Sequence, residues 1–200
     1  MIRAVVFDFG NVICRFDNRL VLARVADRSG MSLAQIEEVV RRSSAFIRQY
    51  EKGLVSSREF FTHFSTLFHL DVTEEEFVKM YTDKFTPIPE TFDLIRRLKG
   101  SYKLGLLSNT SEWDFEYGIK TTEVFPLFDA VTLSFRVHAL KPAPEIYRDA
   151  ISKLGVGPSE CLYIDDIREY ADAAGNLGMA AIAYRSAAEL AESLKDTLGR

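Results

Sequence analysis

Three apolar runs of strand length, each closing on a polar residue, constrain this chain most. Ala4-Val5-Val6-Phe7 runs into Asp8, Lys103-Leu104-Gly105-Leu106-Leu107 into Ser108, and Cys161-Leu162-Tyr163-Ile164 into Asp165-Asp166. Runs without polar alternation suit strands covered on both faces, as in a parallel sheet. Ala130-Val131-Thr132-Leu133 and Ala180-Ala181-Ile182-Ala183 are two weaker candidates. Helical periodicity fills the spaces between, roughly over 89–99, 111–121, 143–154, 168–177 and 186–197. The last opens on Ser186-Ala187-Ala188-Glu189, whose hydroxyl and carboxylate can satisfy orphan amides at a helix start. Alternating strand and helix predicts an α/β sandwich.

The stretch 17–87 breaks that alternation, because it follows the first strand and holds no convincing strand of its own. Ser32-x-x-Gln35, Ser56-x-x-Glu59 and Thr73-x-x-Glu76 each place a capping residue ahead of amphipathic sequence. A helical subdomain of about four helices is expected there, inserted after the first strand, with Thr86-Pro87-Ile88-Pro89 as the return linker. Its aromatic stripe Phe60, Phe61, Phe64, Leu67 and Phe68 reads as that subdomain's own core. The domains expected are therefore 1–16 with 88–200, and 17–87.

With 25 Lys plus Arg against 29 Asp plus Glu, the formal charge is −4, which gives no electrostatic case for nucleic acid or an anionic membrane. The apolar start from Met1 to Phe7 is interrupted by Arg3 and is too short for a signal peptide's apolar region or a membrane span. Cys14 and Cys161 lack metal-type spacing and each sits beside an apolar run, as a reduced buried thiol does, so a cytoplasmic protein is expected.

The polar strand ends carry the chemistry. In open parallel sheets the carboxyl ends of strands face the ligand crevice, so three strands deliver side chains to one rim. Each residue alone also fits a helix cap or turn; their joint appearance favours a site. Converging carboxylates at Asp8, Asp165 and Asp166 require raised pKa values or a cation, and a hard, oxygen-liganded ion such as Mg²⁺ fits, sharing its remaining positions with a substrate phosphate. Lys141, opening Lys141-Pro142-Ala143-Pro144-Glu145 before a helix, supplies a point charge for the same phosphate. Ser108 and the backbone amides of Asn109 and Thr110 supply neutral donors.

The order Val-Val-Phe-Asp8-Phe-Gly-Asn-Val, Leu-Leu-Ser108-Asn109, Lys141-Pro-x-Pro-Glu-Ile-Tyr and Tyr-Ile-Asp165-Asp166 resembles the four motifs of the haloacid dehalogenase-like (HAD) hydrolase superfamily. The helical insertion lies where a C1-type cap sits in that family. The resemblance implies a Rossmann-like core, Mg²⁺-dependent phosphoryl transfer and an aspartyl-phosphate intermediate. Carried over, Asp8 is the nucleophile and a metal ligand, the Gly10 carbonyl a second metal contact, Ser108, Asn109 and Lys141 the phosphate-binding residues, and Asp165 and Asp166 the metal anchors.

The family's phosphatases usually carry a second aspartate two residues after the nucleophile, as general acid and base; here that place is Gly10. Three readings follow. The first is a phosphatase of a small phosphorylated metabolite whose leaving oxygen departs readily, such as a sugar 1-phosphate, a substrate class of the subgroup whose Asp-x-Gly-Asn-Val sequence this one resembles. The second is a 2-haloacid dehalogenase, which needs no acid at that position but leaves the Asp165-Asp166 pair without a metal to hold. The third is a non-catalytic module that binds a phosphorylated ligand. Tyr170 stands where the family often has Asn. The polar run Arg48-Gln49-Tyr50-Glu51-Lys52-Gly53 matches a cap loop that faces the active site in related enzymes, with Arg48, Tyr50 or Lys52 placed to touch substrate. Asp17 is an alternative proton donor by proximity to the first motif.

Overall fold

The computed structural model describes residues 1–199. Its main sheet is entirely parallel, in the order β5-β4-β1-β6-β7, with β1 at Ala4–Phe7, β4 at Lys103–Ser108, β5 at Ala130–Leu133, β6 at Cys161–Asp165 and β7 at Ala180–Ala183. All five expected strands form. Helices cover both faces, giving the α/β, Rossmann-like architecture. Because side chains alternate along a strand, each run splits into two cores. Val5, Phe7, Leu104, Leu106, Leu162 and Ile164 pack on one face with Phe92 and Ile95 of α6 (Pro89–Leu98) and Leu190 and Leu194 of α11 (Ala187–Leu198). Ala4, Val6, Leu107, Cys161 and Tyr163 face Ile146, Tyr147, Ala150 and Leu154 of α9 (Pro144–Leu154), and Ala174 of α10 (Arg168–Asn176). Gly105 permits that second layer to approach, since a Cβ there would lie 3.1 Å from both Leu154 Cδ1 and Val6 Cγ2.

β1 occupies the middle of the sheet, with Phe7 opposite Leu106 on one side and Ile164 on the other. The chain builds outward through β4 and β5, then crosses to the far side for β6 and β7. The strand order reverses at β1, and the carboxyl ends of β1, β4 and β6 open beside one another as a topological switch point.

The helical insertion holds five helices rather than about four: α1 (Asn18–Ser29), α2 (Leu33–Arg42), α3 (Ser44–Glu51), α4 (Ser57–Leu67) and α5 (Glu74–Thr82). The extra one arises at Ser43, which ends α2 and begins α3 without a side-chain cap, so no capping signal marks the break. The three capping boxes form as read, at Ser32/Gln35, Ser56/Glu59 and Thr73/Glu76. Phe60, Phe64, Phe68 and Phe77 pack with Val25, Ile36 and Tyr50 in a separate core, which also takes in Trp113 from α7 (Glu112–Tyr117) of the main body.

A small antiparallel ribbon, β2 (Cys14–Phe16) with β3 (Phe85–Pro87), joins the insertion to the main body where only a linker is expected. Three-residue strands with exposed positions carry too little pattern to be read. The helix expected over 111–121 is shorter: α7 ends at Tyr117 and a 3₁₀ turn, Ile119–Thr121, follows Gly118. A one-turn helix, α8 (Ser134–Val137), follows β5 and is too short to show periodicity. Among the described residues no helix is long and apolar enough to cross a membrane. Cys14 and Cys161 are free and buried; burial pushes their thiols up to about 12 and about 11, as in inert core cysteines.

Candidate active site

Each strand that meets at the switch point ends where its neighbours end, so the register of the sheet alone brings Asp8, Ser108 and Asp165 to one rim. Lys141 reaches the same rim from the loop between α8 and α9, and its side chain is only 2% exposed. The Lys141 ammonium lies 2.7 Å from Asp8 Oδ1 and 2.7 Å from Asp165 Oδ2. Asp165 is fully buried and engaged through both oxygens: the Tyr163 hydroxyl also donates to its Oδ2, and the Ile167 amide donates to Oδ1 at 2.8 Å. Asp166, half-buried, accepts from Asn11 Nδ2 at 3.0 Å. Asp8, Asp165 and Asp166 each offer a carboxylate oxygen within 4.8 Å of the others.

One ammonium against three carboxylates leaves a surplus of negative charge in a dry place. Burial pushes Asp8 up to about 7; the Lys141 charge pulls it back, while the Asp165 carboxylate adds to the rise. Burial would drive Lys141 down, but the carboxylates of Asp8 and Asp165 outweigh it and hold the ammonium above its ordinary value. An all-oxygen donor set short of positive charge is the coordination chemistry of a hard divalent cation, so these residues fit Mg²⁺.

The phosphate side is partly as expected. Ser108 is buried beside Asp8's strand, its hydroxyl donating weakly to the Asn109 carbonyl at 3.4 Å. The Asn109 side chain, however, forms a reciprocal clamp on the Lys141 backbone: Oδ1 accepts the Lys141 amide at 2.8 Å and Nδ2 donates to its carbonyl at 3.3 Å. Asn109 thus positions the lysine. The Thr110 amide, expected to face an anion, donates instead to Ser134 Oγ at 2.8 Å. Asp17 caps α1, its Oδ1 accepting the Arg19 amide at 2.9 Å, which gives the carboxylate a structural task.

Four contacts of the rim escape the motif reading. Tyr163 and Asp165 share a face of β6 by the two-residue period, a signal present in the sequence. Asn11, next to Gly10, restrains Asp166. Tyr170 lays its ring 5.0 Å from the Lys141 ammonium, a cation–π contact that Asn cannot make. Phe16 covers Gly10, where a Cβ would lie 3.0 Å from Phe16 Cε1.

The polar run 48–53 does reach the rim, with different side chains in play. Tyr50 is buried, bonding Ser57 Oγ at 3.0 Å and packing on Phe60. Arg48 and Lys52 border an open groove beside the Lys141 loop. Glu51 instead lines a cavity of about 250 Å³ that extends from Gly10, Ser108, Asn109 and Thr110 into the aromatic interior of the insertion. His138 receives Lys52 at the same seam, its Nδ1 being 2.8 Å from the Lys52 carbonyl. His63 lies against Phe46, ring centroids 4.0 Å apart, inside the insertion.

A family model described as haloacid dehalogenase-like hydrolase matches residues 2–178. A D-ribitol-5-phosphate phosphatase of Bacteroides thetaiotaomicron is 31% identical over 174 residues, covering 83% of this chain and 84% of that one. Among solved structures, a HAD-like family hydrolase from Porphyromonas gingivalis superposes with a TM-score of 0.83 at 26% identity, over 100% of this chain and 99% of its own. A HAD family enzyme from Bacteroides thetaiotaomicron, in complex with magnesium and inorganic phosphate, has the same fold, with a TM-score of 0.82 at 22% identity over 93% and 96% of the two chains.

Proposed function

This chain belongs to the haloacid dehalogenase-like hydrolase family, and from that we propose that it is a magnesium-dependent phosphatase of a small phosphorylated metabolite, acting through a phosphoryl group carried on Asp8. The observation that carries the reading is the Lys141 ammonium set 2.7 Å from both Asp8 and Asp165, in a rim whose three carboxylates face one another within 4.8 Å. A dehalogenase has no use for the third carboxylate, and a relative 31% identical over 174 residues is a D-ribitol-5-phosphate phosphatase.

In this reading Asp8, Asp166 and the Gly10 carbonyl would hold Mg²⁺, with Asp165, whose oxygens already serve Lys141, Tyr163 and Ile167, anchoring it through water. The ion, when bound, would offset the charge of a phosphate dianion brought beside an anionic nucleophile. The remaining work falls to the chain. Asp8 attacks phosphorus through one carboxylate oxygen. Lys141 and the Ser108 hydroxyl hold the transferring oxygens, placed in advance by the Asn109 clamp and the strand end, so little reorganisation is needed at reaction. Tyr163 and Tyr170 keep the ammonium dry and directed.

Helices α1 to α5 serve as a cap over this rim, residues 17–87 forming that unit and 1–16 with 88–200 the core. A sugar 1-phosphate is the first substrate to try, because an anomeric oxygen leaves with less protonation than a plain alcohol and Gly10 offers none. Cytoplasmic residence belongs to the same reading, on the ground of two free, buried thiols.

The test is a hydrolysis screen over phosphorylated metabolites, with haloacids included, run with Mg²⁺ and with EDTA. Phosphate release that EDTA and Asp8→Asn both abolish is the expected result. Haloacid conversion undiminished by EDTA would make the chain a dehalogenase, and full phosphate release by Asp8→Asn would end the covalent mechanism.

A further inference from the structure

Phosphoester cleavage to a plain alcohol needs a proton for the leaving oxygen, and the place where the family's phosphatases usually keep one is closed here. Gly10 has no side chain, and the Phe16 ring lies where one would project. Any donor must therefore enter from another element.

The cavity that begins at Gly10 and Ser108 has a charged lining of Glu51, Lys84 and Asp114. Lys84 and Asp114 are engaged with each other, Nζ to Oδ1 at 2.9 Å, and Lys84 also lies 4.0 Å from the Tyr81 ring. The Glu51 carboxyl makes no hydrogen bond or ion pair among the described residues. Its backbone, by contrast, is fixed. The Ser134 hydroxyl accepts the Thr110 amide at 2.8 Å and faces two carbonyls, Glu51 O at 2.7 Å and Thr110 O at 2.9 Å. Glu51 is thereby tied to the second residue beyond Ser108. The following turn is pressed onto the main body: His138 holds the Lys52 carbonyl, and Gly53, at φ 66°, runs so close to Phe135 that a Cβ would lie 2.1 Å from its carbonyl oxygen. An unengaged acid on a clamped backbone, lining a cavity that reaches Gly10 and Ser108 at the rim, is a group with a position and no hydrogen-bond partner among the described residues.

Resting on the phosphatase reading above, we propose that Glu51 is the catalytic acid and base of this enzyme, supplied from the helical insertion in place of the missing side chain at position 10. As Asp8 Oδ forms its bond to phosphorus and the bridging P–O bond breaks, the Glu51 proton passes to the departing oxygen, giving the free alcohol and a Glu51 carboxylate. That carboxylate then takes a proton from the water that attacks the phosphoryl group, releasing inorganic phosphate and restoring Asp8 and protonated Glu51. The surroundings favour the protonated form at the start: burial among apolar walls raises the Glu51 pKa and the Asp114 carboxylate adds to this, while Lys84 and Arg48 oppose it; Tyr81, buried nearby, stays neutral.

The discriminating experiment compares the wild-type protein, Glu51→Gln and Glu51→Asp, all with Mg²⁺, on a sugar-alcohol phosphate and on p-nitrophenyl phosphate, whose leaving group needs no proton. Glu51→Gln should lower kcat/KM on the alkyl ester by about 10²–10⁴, the usual worth of a positioned acid, and on the nitrophenyl ester by roughly tenfold or less. The alkyl-ester rate of the wild type should fall as pH rises through the Glu51 pKa, and this limb should vanish in Glu51→Gln. Glu51→Asp, which keeps the acid, should recover part of the alkyl-ester rate. Equal losses on both esters, or none on either, would overturn the assignment of Glu51 while leaving the phosphatase reading intact. Failure of the wild type to release phosphate from these two esters and from every phosphorylated metabolite of the screen would remove that reading, and Glu51's role with it.

Discussion

The rim of the parallel sheet and the seam under the helical insertion both bury charge, by different means. At the rim, Asp8 and Asp165 are set by strand register and Lys141 by the Asn109 clamp, so the buried ammonium meets a carboxylate oxygen of each strand end at 2.7 Å. At the seam, Glu51, Lys84 and Asp114 come from the end of α3, the segment after α5 and the first turns of α7. Their positions depend on how helices dock, and one of the three is left unengaged. A sheet edge suits chemistry that is the same for every phosphate, and a docked helical layer suits what varies with the alcohol.

Substitutions can break that division of labour. The largest effect is expected for Lys141→Met, which leaves two carboxylates facing each other with no cation from the chain; removing one partner of a buried ion pair costs about 3–5 kcal/mol. Turnover should vanish as well, and added Mg²⁺ should recover part of the lost stability and none of the turnover, as read by thermal unfolding and phosphate release. Phe64→Ala, in the insertion's core and on the cavity wall, should cost about 3–5 kcal/mol by cavity formation. Phosphoryl transfer from p-nitrophenyl phosphate should survive in the fraction that stays folded. If Phe64→Ala instead abolished it, rim and seam would be one unit.

Smaller changes sharpen the comparison. Gly53→Ala puts a side chain at a positive φ against the Phe135 carbonyl. A loss of about 1–3 kcal/mol is expected, together with a rise in KM for alkyl esters, because the Glu51 turn must shift. Ser56→Ala removes the exposed capping box that starts α4 and should cost about 1 kcal/mol in denaturant titration, with kcat unaltered.

The rim was legible in the sequence because each of its parts is local: an apolar strand names its own end, and three ends plus one lysine suffice. Tyr163 was legible too, by its two-residue offset from Asp165, though the motif drew attention past it. That the Thr110 amide meets Ser134 and the Asn109 side chain meets the Lys141 backbone could not be read, because a strand-end amide or carboxamide reads the same in sequence whether it faces an anion or a neighbouring loop. The seam was not legible. Nothing in the chain order of Glu51, Lys84, Asp114 and Ser134 brings them together; only the packing of α3, α5 and α7 does. The three capping boxes announced helix starts, whereas the uncapped junction at Ser43 hid a fifth helix.

The chemistry of the rim turns on Asp8 carrying the phosphoryl group. Rapid acid quench of the Mg²⁺-loaded protein during turnover, followed by peptide mass mapping, tests it directly. A phosphoryl adduct on the peptide containing Asp8, absent from Asp8→Asn, is the expected result. Phosphate released at full rate with that peptide unmodified at every quench time would contradict it.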